Sequence, residues 1–407
     1  MTKHIYLDTG ATTKIDSKVI EAMQPYLSEK YGNASSSHSK GEEAKEALET
    51  SRKTIAKALN AKPEEIIFTS GGTESNNIAI KSIAFTNRNK GNHIITTKIE
   101  HDCILESCRW LEKQGFNVTY LDVNKEGFVR PEDLENAITD KHRNPNISSH
   151  CNSDNSTNCN KTILVSIIHG NNEIGTIQNL EALGNICKKH NVYFHTDACQ
   201  SFTKTNINVR KINIDLITLN AHKIYGPKGV GALFIKKGTN IETWQHGGGH
   251  ELGLRAGTEN IPAIVGFAKA VEITNKKHII HMINLRNKLI NNLLKIPNSK
   301  LNGPRENRLC NNVNICFKGI DAPSLGDYLN KKGISSSLAS ACSANNDALS
   351  HVLNAIGLSN EDANSSLRLT ISRETTEEEI EIVSKIITQV ISKWRKPGFL
   401  GKVFSKV

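Results

Sequence analysis

Residues able to do chemistry gather just beyond predicted strands, and Lys223 leads them. It stands in Asn220-Ala221-His222-Lys223-Ile224-Tyr225-Gly226-Pro227-Lys228-Gly229, after the apolar run Leu216 to Leu219 and before a Gly-Pro turn. An amine at a strand's carboxyl edge is placed for Schiff-base chemistry. A lone lysine beside a turn is otherwise a solvated surface group, so Lys223 needs complementary groups to carry a function.

Other strand ends supply them. Thr69-Ser70-Gly71-Gly72-Thr73-Glu74-Ser75 joins a strand to a helix, and its glycines, hydroxyls and amide N–H groups suit a phosphate. It lacks the Lys-Ser/Thr ending of a nucleotide-triphosphate loop. Asp197, in Thr196-Asp197-Ala198-Cys199-Gln200, puts a carboxylate where a protonated ring nitrogen would need one. His101, in Lys98-Ile99-Glu100-His101, offers an imidazole able to stack on a flat ring and move protons. Asn172, in His169-Gly170-Asn171-Asn172-Glu173-Ile174-Gly175, offers an amide for a phenolic oxygen. Taken singly, each is equally a helix cap or a loop residue. Together they are the parts of a pyridoxal-phosphate site.

The elements that position these residues alternate. Glu42 to Leu59, Ser75 to Phe85 and Cys103 to Gln114 have helical spacing. Glu65 to Thr69, His93 to Thr97, Asn117 to Leu121, Ile163 to Ile168, Val192 to Thr196, Leu216 to Leu219 and Gly231 to Ile235 read as strands. Alternation of this kind, with nearly continuous apolar strands, predicts an α/β fold with a mostly parallel sheet covered by helices, ligands binding beyond the strands' carboxyl ends. After Gly257 the pattern changes to long helices, Ile261 to Thr274 and Lys276 to Lys295, then shorter strands and a charged helix from Thr376 to Trp394. This predicts a large domain over 16–260 and a smaller α+β domain from 1–15 and 261–407. Residues 141–160, dense in Asn, Ser and His, read as a disordered insertion; His142, His150, Cys151 and Cys159 within it match no familiar metal spacing, and no metal site is expected.

A chain of 407 residues with 37% apolar and 23% charged residues has the composition of a globular protein. No apolar run approaches the ~20 residues of a membrane span, and the start lacks a signal-peptide core. The net charge of +10 comes from scattered Lys and Arg, without the basic stripe interleaved with aromatics that would point to nucleic acid. Nine cysteines, an odd number without a C-x-x-C pair, argue against a disulfide framework and a zinc ribbon. Cys187, Cys199, Cys310 and Cys316 are expected as buried thiols. Together these features predict a cytoplasmic protein.

The sequence resembles the class V aminotransferase-like family, of pyridoxal-phosphate fold type I, and within it the cysteine desulfurases of the bacterial housekeeping and nitrogen-fixation type. The resemblance runs from Ile5 to about Ile386 and rests on Tyr6-Leu7-Asp8 with Ala11-Thr12-Thr13, Gly32-Asn33, Thr69 to Asn77, Glu100-His101, Asn171 to Gly175, His222 to Gly229 and His246-Gly247-Gly248-Gly249-His250-Glu251. It implies a seven-stranded large-domain sheet. It further implies that Lys223 holds the cofactor and moves the Cα proton. Gly72, Thr73, His222 and Asn220 would bind the phosphate, Asn220 standing where the family usually has Ser. Asp197 would meet the pyridine nitrogen, Gln200 and Asn172 the phenolic oxygen, and His101 the ring face. Thr258 would reach the phosphate of a neighbouring subunit, which makes a homodimer. Asn33 and Arg368 would hold the substrate carboxylate, the guanidinium bidentately.

By the same resemblance Cys342, in Ser335-Ser336-Ser337-Leu338-Ala339-Ser340-Ala341-Cys342-Ser343 ahead of Ser350-His351-Val352-Leu353, is the nucleophile that takes sulfur from L-cysteine as a persulfide and leaves L-alanine. Small polar residues around a thiol describe an exposed loop. The acceptor is expected to be an iron–sulfur scaffold or a tRNA-thiolation relay, and the Cys342 persulfide is expected to contact an iron–sulfur cluster transiently. The loop is also where the chain departs from the family, with two extra residues before Ser340 and Asn345-Asn346-Asp347-Ala348 in place of Ser-x-Ser-x-Glu-Pro. A selenocysteine lyase or an aminotransferase of the same class is the alternative activity.

Overall fold

The computed structural model describes residues 4–140, 161–337 and 350–396. The expected insertion at 141–160 and the Cys342 segment lie outside the described residues.

In chain order the strands are β1 (Ile5–Tyr6), β2 (Ile66–Thr69), β3 (His93–Thr97), β4 (Asn117–Leu121), β5 (Thr162–Ser166), β6 (Tyr193–Asp197), β7 (Leu216–Asn220), β8 (Gly231–Ile235), β9 (Ser299–Leu301), β10 (Asn312–Phe317), β11 (Ile334–Ser335) and β12 (Ser366–Thr370). A seven-stranded sheet runs β2-β8-β7-β6-β5-β3-β4. Its pairs are parallel except those of β8, which is antiparallel to both β2 and β7. The exception has a cause in chain length. Residues 221–230 join β7 to β8, and so short a link cannot contain the dozen or more residues of a crossover helix. That link carries Lys223.

The central strands are buried on both faces, as their β-branched runs require. Ser39–Leu59 and Ile261–Glu272 pack together on one face, where Leu48, Ile55, Leu59 and Phe267 meet Phe68, Phe194 and Phe234. The opposite face is covered by Ile78, Ile83, Ile104, Leu111 and Phe116. A separate core unites Ile5 and Leu7 with residues from Met282 to Ile391, around the sheet β12-β10-β9 and the helices Lys276–Leu293 and Glu377–Trp394. Thr376 and Glu379 start the last of these helices with a reciprocal capping box.

Helix and strand expectations hold to within a few residues. The stretch expected as one helix from Ser75 to Phe85 is Gly72–Asn77, a π turn at Ile78–Ser82, and Ile83–Thr86. Pro131–Thr139 and Leu180–Lys189 are helices that the expectation passed over.

Candidate active site

The N-terminal segment builds the Lys223 turn. The Thr13 hydroxyl donates to the His222 carbonyl at 2.8 Å and accepts the Tyr225 N–H at 2.8 Å. The N–H groups of Ile224 and Gly226 both close on the Ala221 carbonyl. Tyr225 is held at φ 68°, a left-handed conformation that costs a bulky residue about 1–2 kcal/mol. The neighbouring Arg373 guanidinium lies 3.8 Å from the Tyr225 ring centre and holds the tyrosine from the other side. The turn is thereby fixed from both ends of the chain.

Lys223 opens into a cavity of about 200 Å³ lined by Gly10, Ala11, Gly72, Thr73, Asn76, His101, Cys103, Asn172, Asp197, Cys199, Asn220, His222 and Arg368. The phosphate-type loop is tight: a Cβ on Gly72 would come within 2.6 Å of the Cys199 sulfur. Asn220 is buried with its Oδ1 unpartnered. His222 shares a proton with Thr12 Oγ1 at 3.2 Å. Burial foremost, with the Lys223 charge, pushes its pKa down to about 4, so the ring is neutral.

Asp197 is fully enclosed at the end of β6. One oxygen accepts the Cys199 N–H and the other the Asn76 amide, each at 2.8 Å. Burial alone would raise its pKa, but the Cys199 N–H, the His101 ring and Asn76 hold it below the usual carboxylate value. Each oxygen keeps a lone pair for a further donor.

His101 starts the helix Asp102–Lys113, its Nδ1 accepting the Cys103 N–H at 3.2 Å. Glu100 sets its height above the sheet. The Glu100 Oε1 accepts the Thr97 hydroxyl at 2.7 Å and the Ile168 N–H at 2.8 Å, which ties the ends of two strands. Burial pushes the Glu100 pKa up to about 8. Asn171 shapes the Asn172 turn, donating to the Ile99 carbonyl and accepting the N–H groups of Glu173 and Ile174.

Arg368 on β12 is 1% exposed, with one nitrogen on Asp8 at 3.0 Å, another on the Asn172 carbonyl at 3.2 Å, and its Nε without a partner. The Gln200 amide donates to the Gly10 carbonyl at 2.8 Å, so it fixes the cavity wall and does not line it. Thr258 is exposed, and Asn33 is exposed with its side chain on the Ser35 N–H; neither lines this cavity. Cys342 lies outside the described residues. Sequence reasoning missed Asn76, Cys103 and Cys199 as wall residues. Cys199 and Cys103 stand two residues after Asp197 and His101, close enough to have been found, whereas the contact of Asn76 with Cys103 is made only by the fold.

The donor set fits pyridoxal phosphate. An ionised carboxylate with free lone pairs suits a protonated ring nitrogen, a glycine-floored helix start with an imidazole suits a phosphate, and the amine stands between them. Among the described residues there is no cluster of His, Cys, Asp and Glu arranged for a metal.

Fold and site define a pyridoxal-phosphate enzyme of the class V aminotransferase type, and that family matches the chain over residues 5–157 and 144–383. "Cysteine desulfurase IscS" of Methanosarcina thermophila is 46% identical, covering 97% of this chain and 93% of that protein. The protein of the same description from Clostridium botulinum strain Hall is also 46% identical, over 100% and 99% of the two chains. Among solved structures, a "NifS-like protein" superposes with a TM-score of 0.85 at 37% identity, over 96% of this chain and 100% of that one. "SspA in complex with cysteine" gives 0.78 at 36% identity, over 91% and 100%. The chain belongs to the class V aminotransferase family and, within it, to the cysteine desulfurases.

Proposed function

We propose that this cysteine desulfurase works through Lys223, His101, Arg368 and Cys342, with its cofactor held by Gly72, Thr73, Asn172, Asp197, Asn220 and His222 against a wall that Gln200 braces. The observation that carries the reading is the meeting of Lys223, Asp197, His101, His222 and Arg368 around one cavity. Bound there, pyridoxal phosphate supplies an electron sink for the charge left on the substrate's Cα.

The remaining work belongs to side chains. Arg368, turned by Asp8 and the Asn172 carbonyl, presents its free Nε edge to the carboxylate of L-cysteine and fixes the Cα–H bond toward Lys223. Asn33, exposed and outside this cavity, is assigned to the same carboxylate by the family resemblance alone. The Lys223 amine takes the Cα proton, and His101 lies beside the substrate thiol. The Cys342 thiolate forms an S–S bond to the substrate sulfur as the S–Cβ bond breaks. Protons returned to carbon complete L-alanine, and the enzyme keeps the sulfur as a persulfide.

The same reading divides the chain into a cofactor domain, 16–260, and a second domain from 1–15 and 261–407. The separate core joining Ile5 and Leu7 to residues beyond Met282 supports it. Because Ile261–Glu272 packs in the first core, a boundary nearer Lys276 is the better-supported form of the same division. A homodimer in which Thr258 serves the neighbouring site is supported by the exposure of Thr258 and of the apolar Tyr31, Trp244 and Leu252. A cytoplasmic setting is supported by the free state of all described cysteines. No described helix is long and apolar enough to cross a membrane. The sulfur acceptor, on the family resemblance, is an iron–sulfur scaffold or a tRNA-thiolation relay.

The test supplies L-cysteine and measures alanine, sulfide and the cofactor's visible absorbance. Lys223→Ala is expected to lose the bound absorbance and all turnover, and Cys342→Ala to bind cofactor and cysteine yet release no sulfur. Undiminished sulfide from Cys342→Ala would remove the persulfide role, and unchanged absorbance in Lys223→Ala the cofactor role of the lysine.

A further inference from the structure

Cys103 joins the cofactor wall to the imidazole without a part in the chemistry above. Its sulfur lies 3.1 Å from His101 Nδ1, and its backbone N–H donates to the same nitrogen at 3.2 Å. The Asn76 amide donates to the Cys103 sulfur at 3.2 Å and to Asp197 Oδ2 at 2.8 Å. Four side chains therefore form one hydrogen-bonded line, from Asp197 through Asn76 and Cys103 to His101.

The line has a direction. An amide N–H can only donate, so the sulfur accepts from Asn76 and is left to point its own S–H at His101. The backbone N–H of Cys103 can likewise only donate. His101 Nδ1 then receives donors from both atoms of one residue and must present its lone pair.

We propose that Cys103 is a positioning residue for the reaction, fixing His101 as the neutral tautomer with its proton on Nε2 and linking it through Asn76 to the Asp197 carboxylate. The proposal rests on the reading that His101 lies at the substrate, and it narrows that residue's part. A ring whose Nδ1 is sealed by two donors cannot take a proton there, so it serves as a fixed hydrogen-bond donor through Nε2. The proton on Cα then falls to Lys223 alone.

Charges around the ring are mixed. Lys223 and His351 oppose the imidazolium, while Asp197 and Asp102 favour it, and burial outweighs them all in lowering the pKa of His101. Around the thiol stand Asp197, Lys223, Thr73 and Asn76; burial first, then Asp197, pushes its pKa up to about 12. Cys103 therefore acts as a neutral S–H and is a poor nucleophile.

The test uses the full-length chain freed of cofactor and labelled with ¹⁵N-histidine, His101→Gln serving to identify the signal. Ring-nitrogen shifts separate a protonated from a lone-pair nitrogen, and their pH dependence gives the pKa. Wild type is expected to show the proton on Nε2. Cys103→Ala should raise the His101 pKa by about half a pH unit, a threefold change in proton affinity. Cys103→Ser, whose hydroxyl donates in the same place, should restore it. If Cys103→Ala does not fold, Cys103→Val fills the volume without a donor and takes its place. A proton on Nδ1 in wild type, or one titration curve shared by wild type and the donor-free variant, would overturn the proposal. Full turnover by His101→Gln would instead remove the substrate-side reading of His101 and leave the tautomer result standing.

Discussion

Arg368→Lys tests the substrate clamp. The guanidinium is 1% exposed and has three directed contacts to make: Asp8, the Asn172 carbonyl, and a carboxylate against its free Nε. A lysine keeps the charge but is a point donor on a flexible stem, unable to hold Asp8 and grip a carboxylate bidentately at once. Losing one charge-assisted hydrogen bond costs about 1.5–3 kcal/mol. At about 1.4 kcal/mol per factor of ten, kcat/KM for L-cysteine should fall roughly 10- to 100-fold. Cysteamine, which is cysteine without the carboxylate, supplies the control. Sulfide release from a large excess of cysteamine should change little between wild type and Arg368→Lys, so the preference for L-cysteine collapses by the same factor. An equal loss on both substrates would show that Arg368 only braces Asp8 and β12. An unchanged kcat/KM for L-cysteine would dismiss the clamp altogether.

Two further outcomes concern stability. The Glu251 carboxylate accepts from both terminal nitrogens of Arg52, at 2.8 and 2.9 Å, and from the Phe68 N–H at 2.6 Å, in a site where both side chains are buried. Glu251→Ala leaves that guanidinium only the half-exposed Glu49 and the Ile66 carbonyl, and should cost roughly 3 kcal/mol, the lower end for a broken buried pair, read as a lower urea midpoint, with Glu251→Gln milder. The pH dependence has two limbs. His169, His195 and His222 have pKa values pushed down to about 4, chiefly by burial. The unfolded chain therefore takes up protons first, and the cofactor-free enzyme should lose stability as pH falls from about 6.5 toward 4. Glu100, raised to about 8, works in the opposite sense: its stabilisation is complete below the ordinary carboxylate pKa and is lost as pH rises through 8. Glu100→Gln, neutral at every pH, should remove the part of the decline in melting temperature that runs from the ordinary carboxylate pKa up to about pH 8; an unaltered decline across that window would contradict the buried proton.

The sequence made legible what is local. Apolar strands announced the sheet, and the residues just beyond them announced most of the site, because in a parallel sheet the strand ends converge on one edge. Lys223, Asp197 and His101 were readable for that reason, whereas His222 came from the resemblance. The antiparallel turn of β8 could be inferred only from the shortness of the 221–230 link. The contact between Asn76 and Cys103 was not readable, since it joins two helices that the strand order brings together, although Cys103 itself stands only two residues after His101. The roles of Gln200, Thr258 and Asn33 came from resemblance alone. In a single chain the first supports the wall, while the others are exposed and do not line the cavity. Helix spacing also overlooked Leu180–Lys189, although Asn179 caps it and its apolar face is buried.

The cord of chain from Ile5 to Asp16 touches nearly every part of the site. Ile5 and Tyr6 pair with Ile334 and Ser335, Asp8 meets Arg368, and the Thr9 hydroxyl bonds the Ile371 carbonyl. Gly10 holds Gln200, Thr13 clasps the Lys223 turn, and Asp16 meets Arg373. On the ribosome these residues emerge before all of those partners; the Leu7 N–H has no acceptor until Ser335 has been made, and the Leu7 carbonyl no donor until Thr370. The β7–β8 hairpin can assemble during synthesis, but the clasp that sets its turn waits for nearly the whole chain. Contacts of such sequence separation are slow to form. The reactive amine is thus built early and brought to its working position last, so a growing chain carries the lysine without the finished active site.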